Sequence, residues 1–417
     1  MAGEPNGETE RVLWHDAAVW ERSGFNAFLA EHGIKRSDLV VVKKDDEEHT
    51  EQRFFRVKQT AGESSQLSTE EVITRVGRSL QEHGIEHVQP EAVDWVPGFF
   101  SLPASTPLAR IDMYQQGQLY GIDISSGYAV TLLDVKPGEH VLDLCCAPGA
   151  KLTMIADLLQ MRGSVTGVDF SRSRIGACKQ LVHKYKLIHP ESAQEESTSS
   201  TGSWRCRLFH ADGRTFAIGP KTECAQLDDM EIVLDTEEIS SRNPKSQGRK
   251  RKNKSARARD LKRQKLMVVN EALYDKVLVD AECTHDGSVK HLQKLETAEA
   301  WDSYVKDHLN DSEITRILNL QHDLIRNGYA LLRPGGTMIY STCSLSIKQN
   351  EDIVRAFLKA TPSASLLPVD TTDIPCEAGK LEGTVRFTPA HHTSGLFIAK
   401  IRKLDSVTSV TSNSGSE

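Results

Sequence analysis

The chain has 417 residues, 38% hydrophobic and 26% charged, with a net charge of -7 and eight cysteines; that is room for two domains, or one large domain with an appendage, in a globular chain. No run approaches 18 consecutive apolar residues, and the acidic start MAGEPNGETERVLWHD has no apolar stretch, which speaks against a membrane span and a targeting leader. The cysteines form no CxxC pair and no His/Cys cluster at zinc spacing, so no metal is expected and free thiols in a reducing compartment are.

In chain order, residues 1–105 mix short apolar runs, DLVVV and RFFRV, with a helical stretch, STEEVITRVGRSLQEHG, in which Ser68 and Glu71 have capping-box spacing. This reads as a small α+β domain. The following WVPGFFSLPASTPLA is rich in Pro and Ser, as linkers are. From Val141 the texture changes. HVLDLCCA, GSVTGVDF, WRCRLFHAD, YDKVLVDA and GTMIYSTCS read as strands; AKLTMIADLLQ, SRIGACKQLVHKY and EITRILNLQHDLIRNGYALL read as helices between them. Such alternation predicts βαβ units and a doubly wound, Rossmann-like α/β sheet over residues 106–403.

Two polar segments, about 190–203 and 217–270, interrupt that rhythm and are expected to be disordered surface insertions, as is the tail 404–417. Within the second, Arg242 to Lys265 holds 12 Lys/Arg against one Asp, so an acidic body carries one strongly basic segment. Such a block can attract phosphates or direct nuclear import, and it favours the nucleus or nucleolus, with the cytoplasm as the other location.

The loop Cys145, Cys146, Ala147, Pro148, Gly149, Ala150, Lys151 joins the first core strand to a helix, and its small residues let a ligand approach the backbone. Asp169 ends the second strand, the usual place for a carboxylate on ribose hydroxyls, with Arg174 just beyond it; Asp212 ends the third and Asp280 the fourth. A small-residue loop and acids at successive strand ends are the pattern of an S-adenosylmethionine pocket. Cys283 follows the fourth strand and Cys343 the fifth, where neighbouring carboxyl ends share one crevice.

DLCCAPGAK, GVDFSRSRI, HADGRTF, VDAECTHDG and YSTCSLSIKQNED together resemble the Sun/Fmu-type RNA (cytosine-5) methyltransferases, and VRFTPAHHTSGLFIAKIRK resembles that family's carboxyl-terminal hairpin. The likeness runs from about Asp112 to Lys403, with a weaker echo at FFRVKQT in the small domain, which in the family binds RNA. It implies S-adenosylmethionine as cofactor and RNA as substrate, tRNA before rRNA. By the resemblance, Cys343 is the nucleophile, Cys283 assists release of the adduct, Asp280 hydrogen-bonds the cytosine ring, and Lys151 positions or activates the thiol. The chain departs from the pattern at Glu282, where Pro is usual, at THDG, and at Ala150 in place of a second loop glycine. Glu282 would disfavour a thiolate if it lay beside Cys283, and His285 is a candidate base. These departures carry the rival reading, a non-catalytic RNA-binding assembly or processing factor that keeps the fold. A monomer is expected, with an import receptor as a further partner of the 242–265 block.

Overall fold

The computed structural model describes residues 10–12, 24–42, 52–59, 67–188, 204–222, 230–237, 273–295 and 297–405. The expected insertion 190–203, most of 217–270 with the whole basic block, and nearly all of the tail lie outside these residues.

Strands β1 (Glu10–Val12) and β2 (Val40–Val42) form an antiparallel pair, and between them lies helix α1 (Phe25–Glu31). Then come β3 (Gln52–Val57), α2 (Thr69–Glu82), β4 (Glu91–Ala92), β5 (Phe99–Pro103), α3 (Asp112–Gln115) and β6 (Leu119–Gly121). The capping box holds: the Ser68 side chain accepts from the Glu71 amide and Glu71 accepts from the Ser68 amide, satisfying two orphan donors at the start of α2. Strands β4, β5, β3 and β6 make one antiparallel sheet in that order.

Three expectations are corrected here. The stretch read as a linker contains β5, whose Phe99 and Phe100 are buried and which pairs with both β3 and β4; its Pro and Ser flank a strand that the composition concealed. The small sheet does not end at 105, because β6 completes it by pairing with β3. Helix α1 packs on the other domain, with Phe25 and Phe28 in one core with Leu292, Trp301 and Tyr304.

The large sheet is built from β7 (His140–Asp143), β8 (Gly163–Asp169), β9 (Trp204–His210), β10 (Glu231–Asp235), β11 (Tyr274–Asp280), β12 (Leu332–Thr342), β13 (Ala364–Leu367), β14 (Glu377–Ala378), β15 (Val385–Phe387) and β16 (Leu396–Lys403). Its order is β10-β9-β8-β7-β11-β12-β16-β15-β14, with β13 also on β16. The five strands β9-β8-β7-β11-β12 are mutually parallel, and β15 and β16 form the expected antiparallel hairpin. Strand β10 lies in a segment read as insertion, yet it pairs antiparallel with β9, and Asp235 at its end takes a two-pronged hydrogen bond from Arg205.

Helices α4 (Ile124–Leu132), α5 (Ala150–Leu158) and α6 (Arg172–Lys184) cover one face of this sheet; α7 (Val289–Leu292), α8 (Ala298–His308), α9 (Asp311–Leu331) and α10 (Glu351–Ala360) follow later in the chain, and α9 and α10 cover the other face. The strands alternate accordingly: Val141, Val165, Leu278 and Ile339 point into the first layer, Leu142, Val168, Val277 and Met338 into the second. Chain order reverses between β7 and β11, so the carboxyl ends of β7, β8, β9, β11 and β12 open on one crevice.

Candidate active site

The crevice holds a cavity of about 470 Å³ reached by the ends of all five parallel strands. Gly149 caps α5 at φ 111°, and a Cβ there would meet the Cys178 backbone at 3.3 Å; only glycine fits this turn. Ala150 is the first residue of the helix, which is why it can replace a glycine.

Asp169 and Arg174 hold the loop from both sides. Asp169 accepts from the Ala147 amide at 3.1 Å and the Ser171 amide at 2.8 Å, while Arg174 donates to the Ala147 carbonyl at 2.6 Å. Both still line the cavity, as do Cys145, Ala147 and Asp212. Asp212 takes a bidentate hydrogen bond from Arg214, which lowers its pKa and keeps it ionised. Cys146 is placed elsewhere: it is buried in the core with its sulfur 4.0 Å from that of Cys178. Burial, then nearby carboxylates, push the Cys145 thiol up, so it stays neutral. Phe170 was missed. It directly follows Asp169, lines the cavity and is 76% exposed, an uncommon cost for so large an apolar ring.

Lys151 reaches across from α5 to Asp280 at 2.7 Å, and the other Asp280 oxygen accepts from Ser341 at 2.7 Å. Burial opposes the Lys151 charge, but Asp280 outweighs it and the ammonium persists. Behind this pair, burial and then the Asp280 charge push Asp143 up to about 8, so it carries a proton at neutral pH.

Beside them Cys283 and Cys343 stand with their sulfurs 3.2 Å apart. The approach is built by glycine. The Gly287 amide donates to the Cys343 carbonyl, the Gly395 amide donates to the Gly287 carbonyl at 2.7 Å, and a Cβ on Gly287 would lie 2.7 Å from the Cys343 oxygen. Cys343 lines the cavity and is partly accessible; Cys283 is buried behind it. Burial opposes charge on Cys283, but the hydrogen bond from Cys343 and the positive His285 overcome it and lower its pKa to about 6, while that same hydrogen bond and burial push Cys343 well up. One proton is thus shared by two sulfurs, and the single negative charge belongs to the pair.

Glu282 does not oppose that charge. Its side chain is half exposed and pairs with Arg316 on α9, turned away from the thiols by a partner that sequence distance hid. His285, in contrast, comes into the site. Its Nδ1 lies 3.0 Å from the Cys343 sulfur and 3.8 Å from that of Cys283. Among the described residues no helix is long and apolar enough to cross a membrane.

The family described as 16S rRNA methyltransferase RsmB/F matches residues 130–199 and 241–402. Ribosomal RNA small subunit methyltransferase B of Cronobacter sakazakii is 25% identical over 325 residues, 78% of this chain and 55% of that protein. The chain spans about half the length of the curated relatives it matches. Among solved structures, PH0851 has a TM-score of 0.60 at 23% identity, covering 92% of this chain and 65% of that one. NSun6 from Pyrococcus horikoshii, solved with SFG, has a TM-score of 0.54 at 17% identity, covering 85% of this chain and 91% of that one. These two share the chain's overall fold. With the family match extending over more than half of its length, the chain belongs to the 16S rRNA methyltransferase RsmB/F family.

Proposed function

We propose that the chain is an S-adenosylmethionine-dependent RNA methyltransferase that forms 5-methylcytosine through a covalent cysteine adduct. The observation that carries this reading is the pair of thiols 3.2 Å apart at adjacent strand ends, one of them opening on the cavity next to the Lys151–Asp280 pair. A scaffold has no need of a shared-proton thiol pair, so the rival reading as a non-catalytic factor is the weaker one. We favour small-subunit rRNA over tRNA as substrate, a choice supported by the names of the relatives.

The cavity suits the methyl donor: Asp169 offers a carboxylate for ribose hydroxyls, Phe170 a free ring face for a purine, and Asp212 an ionised acceptor beyond it. S-adenosylmethionine, when bound there, supplies the methyl group. Cys343 adds as thiolate to carbon 6 of a cytosine turned out of its stack, and the displaced ring electrons make carbon 5 nucleophilic. Asp280, fixed by Lys151 and Ser341, hydrogen-bonds the ring as its nitrogen gains the proton the two sulfurs had shared, which leaves Cys283 a thiolate. Once carbon 5 has taken the methyl group, the Cys283 thiolate receives the carbon 5 proton, the S–C6 bond breaks to regenerate the Cys343 thiolate, and the ring nitrogen releases its proton. The basic block and the small domain supply RNA affinity, and the block also supports a nuclear or nucleolar location; binding should weaken steeply with salt.

Full-length protein incubated with small-subunit rRNA, with tRNA and with methyl-labelled S-adenosylmethionine, followed by nucleoside analysis, tests the reading. Label in 5-methylcytosine is expected. Label in another nucleoside overturns the chemistry, and no label despite measurable donor binding favours the non-catalytic factor. Phe170→Ala should weaken donor binding about tenfold, ~1.4 kcal/mol, as for loss of a stacked base. An unchanged Kd by calorimetry would remove Phe170 from the site.

A further inference from the structure

We propose that His285 is the base that takes the Cys343 proton, so that this chain's nucleophile is one half of a cysteine–histidine pair assembled from two strand ends. The inference rests on the reading of Cys343 as nucleophile. Its footing is geometric. The Nδ1 atom of His285 lies at hydrogen-bond distance, 3.0 Å, from the Cys343 sulfur, and the ring stacks on His291 at 5.0 Å between centroids.

The backbone aims the ring there. His285 has φ 60°, a left-handed conformation that few residues other than glycine adopt, His, Asn and Asp more readily than most. Neighbours hold it in place. Tyr304 donates its hydroxyl to the Thr284 carbonyl at 2.7 Å, Gln349 binds both the Thr284 amide and its hydroxyl, and buried Asp286 accepts from the Thr284 hydroxyl and from the Leu345 amide. Through Leu345 this frame ties the histidine loop to the loop that carries Cys343. A left-handed residue braced by this many hydrogen bonds, with its ring on a nucleophile, is the kind of over-determined conformation that functional sites retain.

The surrounding charges favour the transfer. On its own loop His285 faces Cys283 and Asp286, across the cavity Cys343 with Asp280 behind it, from α6 Arg174, and from α7 His291, with Lys294 and His308 beyond. The charge of Cys283 raises His285 to about 9, against burial and with help from a hydrogen bond to Cys283 and from Asp286, while Arg174 opposes it. Burial, then the charge of His285, lowers His291 to about 4, so the stacked ring is neutral at pH 7. Between the value of about 6 for Cys283 and that of about 9 for the imidazole, the stable form is one thiolate on the sulfur pair beside an imidazolium. The step balances without another reactant: the S–H bond of Cys343 breaks, its proton bonds to Nδ1 of a ring already carrying hydrogen on Nε2, and the electron pair stays on sulfur for carbon 6.

The test uses His285→Asn, because asparagine tolerates the left-handed backbone and places an amide near the position of Nδ1 but cannot take a proton. In full-length protein without RNA, the pH dependence of Cys343 alkylation by iodoacetamide is read on the Cys343 peptide by mass spectrometry. If His285 takes the proton, wild-type Cys343 should be alkylated with a midpoint below that of an ordinary thiol. The variant's midpoint should move up by more than one pH unit, and its methyl transfer at pH 7 should fall on the order of 10²-fold. Superposable alkylation profiles overturn the proposal. Should the variant fail to fold, NMR titration of His285 in wild type and in Cys343→Ser replaces it. A pKa above the ordinary 6.5 that drops in Cys343→Ser supports the pair, and a value that Cys343→Ser leaves unchanged, which would assign the shift to Cys283, overturns it. A shifted alkylation midpoint with no RNA methylation would keep the pair and reject the proposed function; 5-methylcytosine formed with an unshifted midpoint would do the reverse.

Discussion

Cys343→Ala should leave no detectable methyl label on RNA, a loss on the order of 10⁴-fold or more, as when an enzyme that works through a covalent intermediate loses its nucleophile. Cys283→Ala should instead stop one step later, with the methylated cytosine still bonded to Cys343. The two sulfurs differ in place even though they share a proton: Cys343 opens on the cavity, and Cys283 is buried behind it with 4% exposure. Only the first can meet a ring carbon, and only the second is free to receive the carbon 5 proton while its neighbour is bonded. A denaturing gel reads both variants at once. Slowly migrating protein–RNA complex is expected for Cys283→Ala and not for Cys343→Ala. Complex trapped by Cys343→Ala, with turnover lost in Cys283→Ala, would exchange the roles; turnover in both would end the covalent scheme.

What sequence could and could not reveal about this site follows from range. The five parallel strands were legible because their residues alternate between two apolar layers, as Val141 and Leu142 or Leu278 and Val279 do, and a strand's end is then also legible. Asp169, Asp280, Cys283 and Cys343 therefore fall together as their positions require. Arg174 was legible as near the cavity but not as a brace for Ala147. Cys146 sat in the right loop, but its side chain packs into the core beside Cys178 while its neighbours Cys145 and Ala147 line the cavity. The Glu282 carboxylate was a concern because its partner, Arg316, is 34 residues away on another element. The orientation of His285 depends on a left-handed torsion held by Tyr304, Gln349 and Asp286, none of which a local reading of THDG supplies. Strands β5 and β10 were missed for a similar reason: flanking Pro, Ser and charge described the surroundings, while pairing with β3 and β9 made the strand.

The largest stability effect is expected at Arg56→Ala. Arg56 lies near the end of the small sheet's β3, is 2% exposed, and pairs with Asp157 on α5, also 2% exposed, whose carboxylate further accepts from the Gln59 amide. This contact joins the small domain to the helix that begins at the cofactor loop. Burial raises the pKa of Asp157 and Arg56 works against that rise; without the guanidinium a carboxylate stays buried with one amide for company. Removal of one member of a buried pair costs about 3–5 kcal/mol, a large part of a typical domain's total. Two measurements separate this from a simple loss of packing. Since a carboxyl whose folded pKa lies above its unfolded value binds protons on folding, the variant's deficit should shrink as pH falls from 7 toward 5. Arg56→Met combined with Asp157→Leu should recover most of the loss, because no charge then remains buried. Urea unfolding at both pH values decides it. A deficit that is independent of pH and undiminished in the double variant would mean that Arg56 acts through its aliphatic stem, and that the two domains are held together by shape rather than by this charge.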